Sequence, residues 1–209
     1  MKNNSLRYEF DFIHYLNNKA FSQLSSKWQK HLKRMFPDIK DDTIVYCSKH
    51  ENYFAKGDID IRIKGSKKIV SLKNGKNACM HRERFRWLYQ ALKEAGVSFN
   101  TLNTITLYQF GESRIHGHQD KPLTKEEIVS KYSHLILKAN KELNKEEILD
   151  LIINRAVIQG RQEFRQNIDY LYYGNLEKGI LLSVDQIIAS IKSRKELSSS
   201  WIQFGQLVF

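Results

Sequence analysis

The stretch GDIDIRIKGSKKIVSLK, residues 57–73, decides the fold. Its first half has isoleucine at every second position, alternating with Asp58, Asp60 and Arg62, and this period of two is typical of a strand with one apolar face. The central KGSK is typical of a hairpin turn, and KIVSLK (68–73) follows it as the returning strand. The pattern therefore predicts a two-stranded hairpin whose second face carries the charged side chains.

Four residues of this hairpin indicate a chemistry. In the triplet Ser71-Leu72-Lys73, the serine and the lysine point to one face while Leu72 enters the core. Asp58 lies on the polar face of the neighbouring strand, so a carboxylate, a hydroxyl and an ammonium group are expected side by side. A hard cation such as Mg²⁺ prefers carboxylate and carbonyl oxygens, and it polarises a phosphoryl group and activates water. A lysine beside it positions that water or neutralises transition-state charge, so the grouping indicates phosphodiester hydrolysis.

The composition of the chain agrees with a polyanionic partner. Its 209 residues suit one domain, or a core with a small appendage, and 34 Lys+Arg against 23 Asp+Glu give a formal net charge of +11. Ten lysines and arginines but three acids fall between Lys56 and Arg86. Such a basic surface favours nucleic acid as the partner.

Other sequence signals bound the class of protein. Two cysteines make no disulfide framework and indicate a reducing compartment. No apolar run approaches a membrane span and the first residues lack a signal-peptide core, so we expect a cytoplasmic protein with no membrane contact. The phosphate-binding, dinucleotide-binding and nucleophile-elbow motifs are absent from the sequence, which argues against a nucleotide-driven motor or a serine hydrolase.

Hydrophobic periodicity predicts the remaining elements. The predicted helices are about Asn18–Met35, Ala78–Ala95, Thr124–Leu143, Asn144–Ile158 and Val184–Ser193. The predicted strands outside the hairpin are Thr43–Cys47, Thr104–Phe110, two strands around a turn in residues 167–183, and a final strand in WIQFGQLVF (201–209). We therefore expect an α/β fold in which residues 1–110 form a core of helix, three strands, helix and strand. Residues 111–209 are expected to form a helical and β-hairpin extension that packs on the core and contains any DNA-recognition element.

With this order of elements, the chain resembles the PD-(D/E)xK nuclease superfamily, which includes many type II restriction endonucleases, resolvases and repair nucleases. GDIDI (57–61) and VSLK (70–73) carry the resemblance, which covers about residues 19–110. Beyond these motifs, SLKNGKNACMHRE (71–83), LYQFGE (107–112) and the C-terminal tail are similar to a group of bacterial restriction-endonuclease-like proteins.

The resemblance implies both a fold and a function. The fold would be a restriction-endonuclease-like core, a mixed sheet flanked by helices. The activity would be a Mg²⁺-dependent endodeoxyribonuclease, with Mn²⁺ as a possible substitute, acting in restriction or phage defence and leaving a 5′-phosphate. Cutting both strands would need two active sites, which implies a homodimer, and a partner methyltransferase would fit a restriction system.

The chain departs from the family motif at Ser71, where the superfamily has a second acid. In some restriction enzymes with Ser-x-Lys the missing carboxylate comes from the following helix, and Glu83, ten positions after Lys73, is the candidate here. Asp60, on the same predicted face as Asp58, is left as an alternative or additional ligand. The candidate catalytic residues are Asp58, Ser71, Lys73 and Glu83, and the candidate metal ligands are Asp58, Glu83, the carbonyl of Leu72, and Asp60.

Polar residues around this site are the candidate nucleic-acid contacts, namely Lys56, Lys76, Asn77, His81 and Arg82. Two other interpretations of the function stay open. Ser71 favours a catalytically inactive nucleic-acid-binding protein on the nuclease fold, and an RNA nuclease is possible because the metal chemistry does not depend on the sugar. Cys47-x-x-His50 and Cys79-x-His81 are a weaker candidate for a zinc site, because the second spacing is too tight for the usual finger.

Overall fold

The computed structural model describes residues 4–51, 56–74, 84–112, 121–160, 166–193 and 196–208. The helices are α1 (Asn4–Leu16), α2 (Ser26–Met35), α3 (Phe85–Glu94), α4 (Phe99–Phe110), α5 (Lys125–Leu143), α6 (Glu146–Ile153) and α7 (Val184–Lys192). The strands are β1 (Lys19–Ala20), β2 (Ile44–Lys49), β3 (Ile59–Ile63), β4 (Ser66–Lys73), β5 (Tyr170–Gly174), β6 (Gly179–Ser183), β7 (Gln203–Phe204) and β8 (Leu207–Val208). A short 3₁₀ helix at Phe21–Gln23 precedes α2, and a π-helical turn at Asn154–Ile158 follows α6.

The predicted hairpin forms between β3 and β4. Lys64 and Gly65 make its turn, both with positive φ, at 47° and 84°, which is the backbone that a two-residue turn of this hand requires. The register pairs Ile59 with Val70 and Asp60 with Ile69. Because successive side chains alternate between the two faces of a sheet, this register sends Asp58, Asp60, Ser71 and Lys73 to one face, as the sequence predicts.

Six strands form one mixed sheet in the order β1-β2-β3-β4-β5-β6, with every neighbouring pair antiparallel except β4 and β5. The parallel pair places Val70 beside Tyr170 and Lys73 beside Tyr173. A parallel neighbour needs a long crossover connection, and about a hundred residues separate β4 from β5 along the chain. The candidate residues on β4 therefore lie in the interior of the sheet and not at its edge.

Asp169 fixes the start of this parallel pairing. Its backbone N–H donates to the carbonyl of Ile69 at 2.8 Å, and its carboxylate accepts from the N–H of Ile69 at 2.8 Å. The second carboxylate oxygen of Asp169 lies 3.1 Å from Nζ of Lys68. These contacts use both backbone groups of Ile69, the residue before the first parallel pair, Val70 and Tyr170, and so set the register of β5 against β4.

One face of the sheet packs against α1 and α2. Phe12 and Trp28, one from each helix, both contact the buried ring of Tyr172 on β5, with ring centroids 5.3 Å and 5.1 Å away. The strands contribute alternating buried residues to the same cluster, namely Val45, Cys47, Ile59, Ile61, Ile63, Val70, Leu72, Tyr172 and Leu181. Burial of these side chains holds the strand register, because a shift by one residue would bring the charged set into the core.

The chain divides into two compact units, one of Met1–His81 with Arg155–Gln186 and one of Arg82–Asn154 with Ile187–Phe209. The first unit contains the whole six-stranded sheet. In the second unit, α4 packs against α5, and the fully buried Asn140 of α5 accepts a hydrogen bond from the backbone N–H of Gln203 at 2.9 Å. This contact ties the β7–β8 hairpin to α5.

Several predictions from the sequence are confirmed. The protein is α/β with a mixed sheet flanked by helices, and the strand at 43–47, the hairpin, the two strands around the turn at 167–183, and the helices near 125–143 and 184–192 all form. The two strands at 167–183 join the main sheet as β5 and β6. No helix in the part of the chain that the structure describes is long and apolar enough to cross a membrane.

The predicted strand at Thr104–Phe110 is wrong, because these residues lie in helix α4. Ser98 caps this helix by accepting from the N–H of Thr101, and Gly111 ends it in the left-handed conformation, φ 77°. The hydroxyls of Thr104 and Thr106 donate to carbonyls four residues earlier, so these strand-favouring residues are accommodated in the helix. The parallel neighbour of β4 is instead β5.

Other element boundaries also differ from the prediction. The predicted helix at Asn18–Met35 forms only from Ser26, because residues 19–23 make β1 and the 3₁₀ helix before Ser25 caps α2. The helix predicted at Ala78–Ala95 is described from Phe85, and its earlier residues lie outside the described ranges. Helix α1 is not among the predicted elements.

Asp169→Ala is expected to lower the free energy of unfolding by about 1–2 kcal/mol, because the N–H of Ile69 and the ammonium of Lys68 lose a charged acceptor that is partly exposed. Urea denaturation followed by circular dichroism measures this change. Glu177→Ala, at an exposed acid in the β5–β6 turn, is the control and is expected to change stability by less than about 0.5 kcal/mol. Equal losses in the two variants would contradict a special role for Asp169.

Candidate active site

The carboxylate of Asp58 lies at the centre of a polar cluster at the ends of β3 and β4. Its Oδ2 accepts a hydrogen bond from Oγ of Ser71 at 3.1 Å and from the backbone N–H of Leu72 at 2.6 Å. Nζ of Lys73 lies 4.0 Å from the same oxygen. The structure therefore brings together the carboxylate, the hydroxyl and the ammonium that the sequence places on one face.

The end of β4 explains this convergence. β3 begins at Ile59, opposite Val70, so Leu72 and Lys73 extend past the first residue of β3. In a strand the N–H and the C=O of one residue point to the same side. The N–H of Leu72 points to Asp58, and its carbonyl is therefore directed to the same side, while its side chain lies in the apolar core.

Lys73 is accessible rather than sealed in apolar packing. Its side chain is 20% exposed and that of Asp58 is 26% exposed, so both groups border solvent. The hydroxyl of Tyr8, on α1, donates to the carbonyl of Lys73 at 3.4 Å and also to the carbonyl of Gly174. Burial raises the pKa of Tyr8, with the charge of Asp58 as a further cause, so this hydroxyl keeps its proton and remains a donor.

Glu9, next to Tyr8 on α1, adds a second carboxylate to this neighbourhood. Its side chain is 16% exposed, and burial, followed by the negative charge of Asp58, raises the pKa of Glu9. The ammonium groups of Lys49, 3.3 Å from Oε2 of Glu9, and of Lys73 oppose this rise. Sequence analysis missed Glu9, because an acid within an N-terminal helix carries no local signal that it lies near a strand fifty residues away.

Asp60 has a different environment from Asp58, although both lie on the same face. Its side chain is 2% exposed, and its Oδ1 lies 2.6 Å from Nδ1 of His50. Its Oδ2 lies 3.0 Å from Nη2 of Arg62 and 3.7 Å from Nζ of Lys67. His50 in turn contacts Oε1 of Gln166 through Nε2 at 3.0 Å. Both oxygens of Asp60 are thus held by cationic or imidazole groups, which suits a structural anchor better than a metal ligand.

The donors around Asp58 are chemically suited to a hard divalent cation. The carboxylates of Asp58 and Glu9 and the carbonyl of Leu72 are all oxygen donors, the type that Mg²⁺ and Mn²⁺ prefer, and Mg²⁺ commonly takes few protein ligands and completes its shell with water. The contacts described above fall on Oδ2 of Asp58, and Oδ1 makes none of them. Within the described residues, no group of three or more His, Cys, Asp or Glu is arranged to hold a metal ion. Asp58, with Glu9 and the carbonyl of Leu72 as further oxygen donors in its neighbourhood, is therefore the candidate for a metal site among the described residues.

Several predicted site residues fall outside the part of the chain that the structure describes. They are Lys76, Asn77, His81, Arg82 and Glu83, and their roles stay predictions. Lys56 is described and is partly buried, two residues before Asp58.

Of the four residues of the alternative zinc site, the structure describes Cys47 and His50, and their environments argue against this site. Cys47 lies in the apolar core, and burial, with a contribution from Asp60, raises the pKa of its thiol to about 12, whereas zinc binds the thiolate. His50 is on the opposite face of the sheet, where Asp60 and Gln166 occupy its two ring nitrogens.

Comparison of the chain with models of known protein families and with curated protein sequences finds no match.

Asp60→Asn is expected to lower the free energy of unfolding by about 1–3 kcal/mol, because a buried carboxylate that compensates His50, Arg62 and Lys67 becomes neutral. Thermal unfolding with and without Mn²⁺ measures this loss together with any stabilisation by the metal. We expect Mn²⁺ to raise the melting temperature of the parent protein, and we expect the variant to melt lower than the parent but to show the same increase with Mn²⁺. Normal stability combined with loss of that increase would instead identify Asp60 as a ligand.

Proposed function

We propose that the protein is a metal-dependent endonuclease that hydrolyses DNA phosphodiester bonds. The observation that carries this proposal is the convergence of Asp58, Ser71, the Leu72 peptide group and Lys73 at the ends of two paired strands. A carboxylate and an ammonium 4.0 Å apart, both bordering solvent, can act on the same phosphate, the ammonium directly and the carboxylate through a bound divalent cation.

Each residue of the site has a separate role in the proposed phosphodiester hydrolysis. A divalent ion bound at these oxygens would polarise the phosphate and activate a water molecule. Asp58 is held in orientation by its bonds to Ser71 and to the N–H of Leu72, so its second oxygen is presented in a fixed direction. Lys73 supplies a positive charge at the site where the phosphate gains negative charge, and it can orient the attacking water.

Glu9 supports the proposal by supplying a second acid where the strand motif has Ser71. Burial, followed by the negative charge of Asp58, raises the pKa of Glu9, which indicates repulsion between the two carboxylates. A bound divalent cation would relieve that repulsion. Glu9 is therefore our candidate for the second carboxylate from the described residues, beside the prediction for Glu83.

DNA is the proposed substrate because the site lies in a basic chain and beside basic groups. The net charge of +11 favours binding to a polyanion, and Lys49 and Lys73 flank the two carboxylates. By its resemblance to restriction-endonuclease-like proteins, we further propose a role in restriction or phage defence, action as a homodimer, and a partner methyltransferase.

The second candidate function is a nucleic-acid-binding protein that has lost turnover. Ser71 favours it, because its hydroxyl is a hydrogen-bond donor to Asp58 and adds no negative charge for a metal ion. The two candidates differ in one measurable property, which is metal-dependent strand cleavage.

Asp58→Ala and Lys73→Ala are each expected to reduce cleavage of plasmid DNA by about a hundredfold or more, because each removes a charge at the reacting phosphate. The assay compares conversion of supercoiled plasmid with Mg²⁺, with Mn²⁺ and with a chelator. Lys64→Ala, at an exposed lysine in the turn of the same hairpin, is the matched control and is expected to cleave at the parent rate. Binding without any metal-dependent cleavage by the parent protein would favour the second candidate.

Glu9→Gln is expected to abolish most of the increase in melting temperature that Mg²⁺ or Mn²⁺ gives the parent protein, because ligand binding stabilises the folded state in proportion to its affinity. Asp11→Asn, at an exposed acid two residues further along α1, is expected to retain the full increase. Differential scanning fluorimetry over a metal titration measures both variants. Retention of the full increase by Glu9→Gln would remove Glu9 from the site and direct attention to Glu83.

A further inference from the structure

An exposed aromatic residue lies beside Lys73 on the face of the sheet that carries Asp58. The parallel register of β4 and β5 pairs Lys73 with Tyr173, and the antiparallel register of β5 and β6 pairs Tyr173 with Ile180. Tyr173 is 41% exposed and Ile180 is 61% exposed. Because directly paired residues share a face, these two side chains form an apolar surface next to the ammonium of Lys73. We call this pair the Tyr173 shelf.

The hairpin that carries the Tyr173 shelf is firmly held. The side chain of Asn175 accepts from the N–H of Glu177 at 3.0 Å and from that of Lys178 at 2.6 Å, which closes the turn. Nε1 of Trp28 donates to the carbonyl of Leu176 at 3.1 Å, and this anchors the turn to α2. An aromatic ring on such a hairpin is positioned before a ligand arrives, so little conformational entropy is lost on binding.

Contacts within the β5–β6 hairpin also fix the backbone of β5, the strand that carries Tyr173. Gly179 lies against the ring of the buried Tyr172, where an added Cβ would fall 2.4 Å from Oη. The hydroxyl of Tyr172 donates to the carbonyl of Asn175 at 2.7 Å, and the hydroxyl of Tyr8 donates to the carbonyl of Gly174. The residues on either side of Tyr173 are thus fixed, and its ring faces away from the core.

We propose that the Tyr173 shelf stacks against an unpaired nucleobase adjacent to the phosphate bound at Asp58 and Lys73. An aromatic ring next to a cationic group is the arrangement that single-stranded nucleic acid recognises, since every base has a π-face and every nucleotide a phosphate. In a duplex both faces of an internal base are covered by its neighbours, so stacking on Tyr173 requires an unpaired nucleotide. The inference rests on the proposed function and narrows its substrate to DNA that contains single-stranded nucleotides, such as overhangs, flaps or melted segments.

Charge favours this occupant over an apolar protein partner. The shelf is continuous with Lys73, and Lys73 would be buried by a protein that covered the shelf tightly. The ammonium of Lys73 borders solvent, and a nucleotide supplies a phosphate for this cation together with a base for the ring, which an apolar protein surface does not.

The test measures binding without cleavage, so that it does not depend on turnover. Fluorescence anisotropy in a chelator compares a labelled oligothymidylate, the same strand annealed to oligoadenylate, and a strand of the same length built from abasic nucleotides. The variants are Tyr173→Ala, Tyr173→Phe and the control Tyr46→Ala. Tyr46 is an exposed tyrosine on β2, opposite Arg62 and on the same face of the sheet.

Tyr173→Ala is expected to weaken binding of oligothymidylate by roughly five- to hundredfold, the range typical of one lost base–aromatic stack. Its affinity for the duplex and for the abasic strand is expected to equal that of the parent protein. Tyr173→Phe keeps the ring and is expected to bind as the parent does, and Tyr46→Ala is expected to behave like the parent with all three probes.

Three outcomes would overturn the inference and are distinguishable from failure of the proposed function. Equal effects of Tyr173→Ala and Tyr46→Ala, or equal losses on base-containing and abasic strands, exclude stacking at the shelf while leaving metal-dependent cleavage intact. Concentration-dependent self-association that Tyr173→Ala abolishes, with DNA binding unchanged, would assign the shelf to a second copy of the chain. Absence of DNA binding by the parent protein would overturn both the inference and the proposed function.

Discussion

The candidate site depends on one register, in which β3 pairs with β4 so that Asp58 falls opposite the end of β4. The apolar face of the sheet enforces this register, because Ile59, Ile61, Val70 and Leu72 are all buried against α1 and α2. A slip by one residue would exchange these side chains with the charged ones. The packing of the apolar face therefore fixes the positions of the polar side chains, and a change of register would alter both faces together.

Local patterns in the sequence were sufficient to predict this hairpin. Alternation over 59–63 is a period that a helix does not satisfy, and Gly65 tolerates the positive φ of a tight turn. The relative direction of Asp58, Ser71 and Lys73 then follows from strand geometry alone. No tertiary information is needed for this part of the site, which is why it was predictable residue by residue.

The parts that sequence reasoning missed are those determined by distant partners. Thr104–Phe110 is rich in β-branched and aromatic residues, yet caps at Ser98 and Gly111 and the packing of α4 against α5 make it helical. The strand that does lie beside β4 is about a hundred residues further along the chain, and nothing in β4 specifies it. Asp60 appears on the polar face as Asp58 does, but its burial depends on His50 and on Gln166, which no local pattern connects to it.

In the proposed site, Ser71 stands where the motif that the chain resembles has an acid, and this has an electrostatic consequence. The hydroxyl of Ser71 donates to Oδ2 of Asp58, so it satisfies a carboxylate oxygen at a position where an acid would repel it. In our proposal the second negative charge comes instead from Glu9 on α1, which is partly buried and lies 3.3 Å from Lys49. Without a bound cation, two acids side by side on adjacent strands would repel each other, whereas Ser71 and Asp58 form a hydrogen bond. Under this proposal, the affinity of the site for a divalent cation depends on how closely α1 holds Glu9 to the end of β4.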